Sequence, residues 1–203
     1  MRDFTFRRFI YSILGVVLIS IAVSLFRIAN IGTDPFSCFN LGIAGIIGTS
    51  FGNAQLIVNI VLTILFIYPG WKYFGVGTII AMFGVGYISD IVLSLLGIPE
   101  GAFNFFISLL LVIAGIVITS SGIAMYSSAN LGISQYDMMG FLLRDTGVLS
   151  LQYARIVVDI VLVVAGFFMG SIVNVGTLLI ALFVGPLVAW LIPNVMMPLV
   201  NGK

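Results

Sequence analysis

Six apolar stretches dominate the chain, at about 9–29, 52–70, 74–97, 103–127, 151–169 and 173–193. Each is roughly 20 residues long, the length a helix needs at about 1.5 Å per residue to cross some 30 Å of hydrocarbon. Between the first and second lies Thr33 to Thr49, too apolar for an ordinary loop and too short to cross. Thr33 or Asp34 can cap a helix whose first residue is Pro35, where the missing N–H of proline costs nothing. A counterpart follows the fourth stretch, with Ser134 as cap and Asp137 three residues on, close to a capping box. Residues 34–48 and 134–146 therefore read as short helices, re-entrant or interfacial. Ser50 and Ser150 stand where each caps the next span.

The two short helices correspond because the chain is a duplication. Ala29-Asn30-Ile31-Gly32-Thr33-Asp34-Pro35 reappears as Ala129-Asn130-Leu131-Gly132-Ile133-Ser134-Gln135, and at this offset 13 of the 50 positions from 13 to 62 meet an identical residue. One residue less of offset pairs Val76-Gly77-Thr78 with Val175-Gly176-Thr177, and Val85-Gly86 with Val184-Gly185. Repetition fixes how many units a chain contains and where equivalent sites lie. Three crossings per unit is an odd number, so the second unit enters the membrane from the opposite side. The predicted fold is all-α: one polytopic transmembrane domain of six helices, arranged as two inverted three-helix repeats, 9–97 and 103–193, each with one short helix. A rival count makes 31–50 and 131–150 full spans, with eight crossings and parallel repeats, but places Lys72 outside and Glu100 inside.

Composition agrees with the pattern. With 61% hydrophobic and 7% charged residues and a mean hydropathy of +1.27, the chain has too little polar surface for a soluble globule. A net charge of +1 leaves no basic face for nucleic acid, and the absence of histidine excludes an imidazole metal site or proton shuttle. Cys38 is the single cysteine and reads as a small buried thiol. Arg2, Arg7 and Arg8 precede the first span, which places the N-terminus in the cytoplasm, and six crossings then put Lys72, Arg144 and Lys203 inside with Glu100 outside. The basic start resembles a signal peptide, but its apolar run lacks an Ala-x-Ala-like exit and aligns with the fourth span, so it reads as a retained first helix.

Ionisable residues inside a membrane cost roughly 2.5–3.5 kcal/mol each on insertion scales, which makes each a candidate for function. Unit one carries Arg27, Asp34 and Asp90 where unit two has Ser127, Ser134 and Ala189; unit two carries Asp137, Arg155 and Asp159 where unit one has Ser37, Gln55 and Asn59. Charges that vanish together behave as a paired cluster, since removing one partner strands the other. Arg155 and Asp159, one turn apart, can pair within their helix. Gln152, Arg155 and Asp159 form one polar stripe and Gln55, Asn59 and Thr63 its counterpart, both expected to face the interior. Either these groups tie helices together or they line a polar path. In the second case Gln55, Asn59, Thr78, Arg155, Asp159 and Thr177 surround a central pocket, with gates built from Arg27, Asp34 and Asp90 outside and from Asp137, Arg155 and Asp159 inside. The repeated Asn30 and Asn130 join the candidates. Glycines such as Gly15, Gly84 and Gly115 serve close helix approach, and Thr78 and Thr177 fit a structural role as well as a ligand.

At Ile31-Gly32-Thr33-Asp34-Pro35, Val76-Gly77-Thr78 and Gly86-Tyr87-Ile88-Ser89-Asp90 the chain resembles the YczE/YyaS/YitT family of bacterial integral membrane proteins, from about residue 9 to 193. The resemblance implies a multi-pass inner-membrane protein and no particular activity. The chain ends ten residues past Pro193, without the soluble C-terminal domain of YitT-type members. Inverted repeats, broken helices and buried charges suggest a small secondary transporter or permease for a small molecule or ion, both termini cytoplasmic. The alternative is a substrate-capture subunit or regulatory membrane protein, although the first helix offers only Gly15, Ser20, Ala22 and Ser24 where the energy-coupling-factor family uses an Ala-x-x-x-Ala surface. No nucleophile-base pair, metal cluster or phosphate loop is visible, so neither catalysis nor a cofactor is expected. The expected partner is the lipid bilayer, and a homo-oligomer stays open.

Overall fold

The computed structural model describes residues 5–201, which leaves the sequence-predicted signals at Arg2 and Lys203 outside the described residues. All regular structure among them is helical: α1 (Phe6–Ala29), α2 (Pro35–Ile47), α3 (Phe51–Gly70), α4 (Val76–Leu96), α5 (Phe105–Ala129), α6 (Gln135–Asp145), α7 (Leu151–Phe168), α8 (Val175–Leu191) and α9 (Met197–Asn201). Among the described residues six helices are long and apolar enough to cross a membrane, α1, α3, α4, α5, α7 and α8 with their extensions. With 13 and 11 residues, α2 and α6 span only about 20 and 17 Å. They are too short to cross, which removes the eight-span count.

Caps set these boundaries where the sequence places them. Asp34 accepts the amide of Ser37 at 3.0 Å, with Pro35 as the first helical residue of α2. Ser134 accepts the amide of Asp137 at 3.1 Å and donates its hydroxyl to the Asp137 carboxylate at 2.8 Å. Ser50 caps α3 through the amide of Asn53, whereas Ser150 occupies the same position before α7 without a side-chain bond.

The repeated Asn-x-Gly is a structural device. Asn30 and Asn130 end α1 and α5 in the left-handed region, at φ 53° and 52°, where asparagine is tolerated better than most residues. Gly32 and Gly132 follow at φ 111° and 128°. The turn presents the Ile31 carbonyl to the amide of Gly176 at 2.8 Å and, reciprocally, the Leu131 carbonyl to the amide of Gly77 at 2.9 Å. Each bond satisfies an otherwise orphaned N–H in the first turn of α8 or α4. The exit of one unit's first helix thus clasps the last helix of the other unit, in both directions.

α1 and α5 cross at the centre. Gly15 lies against the Gly122 carbonyl and the Tyr126 backbone, while the Phe26 ring fills the notch at Gly115. As α1 runs forward from 15 to 26, α5 runs backward from 122 to 115, so these two equivalent helices are antiparallel. α4 packs on α1 and α8 on α5, giving one group of helices; α2, α3, α6 and α7 pack on one another as a second group. Phe26, Val112, Ile116 and Ile180 belong to the core of the first group, and Phe36, Val58, Val158 and Leu162 form that of the second. The groups meet extensively only where α3 lies along α4.

Candidate functional site

A cavity of about 410 Å³ lies between the two groups, within the size range of small-molecule sites. Its two walls differ. The α1, α4, α5 and α8 side contributes mainly apolar residues, among them Ile19, Val23, Val85, Ile123 and Val184, with Thr119 and Tyr126 as polar exceptions. Every ionisable carboxylate and the one guanidinium come from the opposite group: Asp34, Asp137, Arg155 and Asp159, beside Gln55 and Asn59.

The N-terminal turns of α2 and α6 meet here. Phe36 of α2 stacks on Tyr136 of α6, centroids 5.4 Å apart and planes 15° apart. Tyr136 donates its hydroxyl to Asp159, and Arg155 lies 5.4 Å from the Tyr136 ring centroid. Arg155 donates to Asp137 at 2.9 Å. The intrahelical Arg155–Asp159 pair allowed by spacing therefore does not form. Gly140 makes room for this arrangement, since a Cβ there would stand 3.0 Å from the Arg155 side chain. Gln135 donates to Thr63 at 3.1 Å, and Asn59 to the Met82 carbonyl on α4 at 3.4 Å. Gln55 is only 4% exposed, and its side-chain oxygen has no hydrogen-bond partner.

Six of the twelve sequence-predicted residues line this cavity: Asp34, Gln55, Asn59, Asp137, Arg155 and Asp159. Thr78 and Thr177 do not. Thr78 donates to the Ile133 carbonyl at 2.8 Å and accepts the Gly75 amide, while Thr177 packs against Gly32, so both serve the interunit clasps. Asn30 and Asn130 are the helix-ending residues described above. Gln152 is exposed rather than interior. Arg27 and Asp90 pair at 2.7 Å, but Asp34 does not join them; Arg27 turns its other side to Glu100 at 3.0 Å. That cluster borders a separate hollow of about 200 Å³, with Asn30 and Thr33. Tyr136, Gln135 and Phe36 were not anticipated. The repeat held the signal, because Phe36 and Tyr136 occupy equivalent positions, two residues after the two caps.

The two ends of the cavity are closed to different degrees. In unit one Gly52 of α3 lies against Gly86 and Tyr87 of α4, and the Gly52 amide donates to Asp90 at 2.8 Å. The equivalent residues of unit two are Gln152, Gly185, Pro186 and Ala189. There α7 and α8 scarcely touch; Gly185 has open space beside it, and Gly185 and Ala189 are exposed although both line the cavity. At the same end of the molecule Asp145 of α6 accepts from Lys72 at 2.7 Å and Tyr73 at 2.6 Å and pairs with Arg144 at 2.7 Å. The Lys72 hydrogen bond, followed by those of Tyr73 and Arg144, holds the Asp145 carboxyl well below the usual carboxylate range.

Comparison with known proteins places this geometry in company. Residues 6–193 match a family described as a family of unknown function, DUF6198. The chain is 27% identical over 199 residues to "Uncharacterized protein YyaS" of Bacillus subtilis (strain 168), covering 96% of this chain and 94% of the relative. It is 25% identical over 186 residues to an uncharacterized protein of Haemophilus influenzae, covering 88% and 82% respectively. No solved structure matches.

Proposed function

The chain belongs to the DUF6198 family of unknown function, and we propose that it acts as a small secondary transporter of the bacterial inner membrane, built from two inverted repeats and without catalysis of its own. The observation that carries this reading is the contrast between equivalent helix pairs, α3 sealed on α4 and α7 parted from α8, at either end of one cavity. Inverted repeats give a carrier two ways to arrange the same contacts, related by a pseudo-two-fold rotation, and alternating access follows when one repeat or bundle rocks against the other around a central site. The antiparallel α1/α5 pair and the reciprocal clasps support inversion. The Phe36–Tyr136 stack supports a re-entrant assignment, with the N-termini of α2 and α6 meeting deep in the protein.

In this reading the Asp90 end faces outward and is shut, and the Ala189 end faces the cytoplasm and is open. The test uses Ser37→Cys, on the cavity wall, in a Cys38→Ser background. A carrier that alternates exposes this thiol to an impermeant maleimide from both sides of a sealed vesicle. A capture subunit or regulator, which holds its ligand without passing it across, exposes it from one side only.

A further inference from the structure

We infer that the central cavity takes a monovalent organic cation, an amine or quaternary ammonium with an apolar body, and that Asp159 is its counter-charge. This rests on the carrier reading of the same cavity. The charges on the wall decide the sign. The N-terminal turns of α2 and α6 border the cavity and on their own favour an anion, each by the equivalent of about half a positive charge. With Arg155, these sources amount to roughly two positive charges against the three carboxylates Asp34, Asp137 and Asp159, leaving about one negative charge over.

The partners decide which carboxylate is left over. Asp34 caps α2 and so opposes that helix's dipole directly. Asp137 stands in the first turn of α6 and also pairs with Arg155 at 2.9 Å. Asp159 accepts the neutral hydroxyl of Tyr136 and feels the Arg155 charge only from beyond contact, since Arg155 makes its ion pair with Asp137. Gln55 also belongs to the cavity wall, buried, with an oxygen that has no donor. A carboxylate and an unpaired carbonyl oxygen suit a positive group that is also a donor.

The rest of the cavity sets the kind of cation. Among the described residues no group of three or more acidic or cysteine side chains could hold a metal ion. The three carboxylates do not converge on a point charge. The opposite wall is mainly apolar, from Ile19 and Val23 to Val184, Val188 and Ile192, and burial of an apolar body there contributes roughly 25 cal/mol per Å². Between α7 and α8 the lining is charged on one side, Arg155 and Asp159, and apolar on the other, Val184, Val188 and Ala189, which suits a ligand that carries its charge on one end.

The test measures binding to the purified full chain in detergent, by calorimetry, of two water-soluble probes similar in shape and opposite in charge, benzyltrimethylammonium and benzylsulfonate. The cation binds saturably and the sulfonate does not. Asp159→Asn, with thermal stability retained, weakens the cation at least ten-fold, Asp34→Asn weakens it less, and Asp159→Glu restores binding. Equal or tighter binding of the sulfonate, no saturable binding of the cation, or unchanged binding in folded Asp159→Asn overturns the inference. If Asp159→Asn does not fold, the comparison of the two probes on the unaltered chain still decides. Two-sided labelling of Ser37→Cys alongside failed cation binding would leave the carrier standing and remove only its substrate class; cation binding with one-sided labelling would do the reverse.

Discussion

The carboxylate of Asp90 accepts the backbone amide of Gly52 at 2.8 Å while it pairs with Arg27 at 2.7 Å, so one side chain fastens α4 to α3 and to α1. Arg27 also lies 4.9 Å from the Phe51 ring centroid, directly before Gly52 in the chain. Asp90→Ala removes both bonds and leaves Arg27 with Glu100 as its remaining acidic partner. Hydrogen bonds to charged groups contribute about 1.5–3 kcal/mol each, enough in the carrier reading to populate a state opened at the Asp90 end. A cysteine at Gln55, slow to react with an impermeant maleimide from outside, is expected to react at least several-fold faster once Asp90→Ala is added. The converse graft, Gln152→Gly with Ala189→Asp, gives α7 and α8 the unit-one fastening and is expected to slow labelling of Ser37→Cys from the cytoplasmic side.

Arg155 provides a second test, because geometry names its partner. Arg155→Gln leaves Asp137 without its cation at a partly buried position; the Arg155 side chain is 40% exposed, so the loss is about 1–2 kcal/mol rather than the full penalty of a buried pair. Arg155→Gln with Asp137→Asn should recover most of that loss in a thermal-denaturation double-mutant cycle. Arg155→Gln with Asp159→Asn should recover less, since Asp159 is held by Tyr136.

Much of this architecture was legible in the sequence, for physical reasons particular to each part. The spans followed from bilayer thickness, and the caps from Asp34-Pro35 and Ser134. The duplication pointed to Asn30 and Asn130, yet their meaning was hidden: the Asn-x-Gly turn reaches α8 or α4, and no local pattern announces a partner more than 50 residues away. Thr78 and Thr177 entered the candidate pocket for the same reason, as polar groups in apolar helices whose partners lie in those turns. Spacing put Arg155 opposite Asp159, and tertiary packing chose Asp137. Phe36 and Tyr136 were passed over because an aromatic in an apolar run reads as packing until its stacking partner is known.

Close helix approach gives a sharp contrast between two glycines. A Cβ at Gly15 would stand 2.7 Å from the Gly122 carbonyl oxygen and 2.8 Å from the Tyr126 amide, both backbone, so neither neighbour can yield cheaply. Gly15→Val is expected to destabilise by about 3 kcal/mol or to prevent assembly. Gly45, inside α2 with nothing within 4 Å of its Cβ position, should gain up to about 1 kcal/mol on change to Ala. Melting of the two variants in detergent separates them.

The Asp145 cluster predicts an acid dependence at the Lys72 end of the molecule. Folding lowers the Asp145 pKa, so the folded chain favours the carboxylate more than the unfolded chain does. Its stabilising share is complete above the unfolded value near pH 4 and is lost as pH falls below that value toward the folded one. The melting temperature of Asp145→Asn should therefore lie below that of the unaltered chain at neutral pH and converge with it in strong acid.

The central claim is that the contacts α3–α4 and α7–α8 exchange with one another. Spin labels at the repeat-equivalent exposed pairs Asn53 with Ile91 and Tyr153 with Trp190, read by pulsed electron resonance in nanodiscs with and without benzyltrimethylammonium, report both ends of the cavity. Exchange predicts a main population with the first pair close and the second apart, a minor one with these reversed, and a shift between them on adding the cation. Two pairs that keep single fixed distances, or that widen and narrow together, would contradict it.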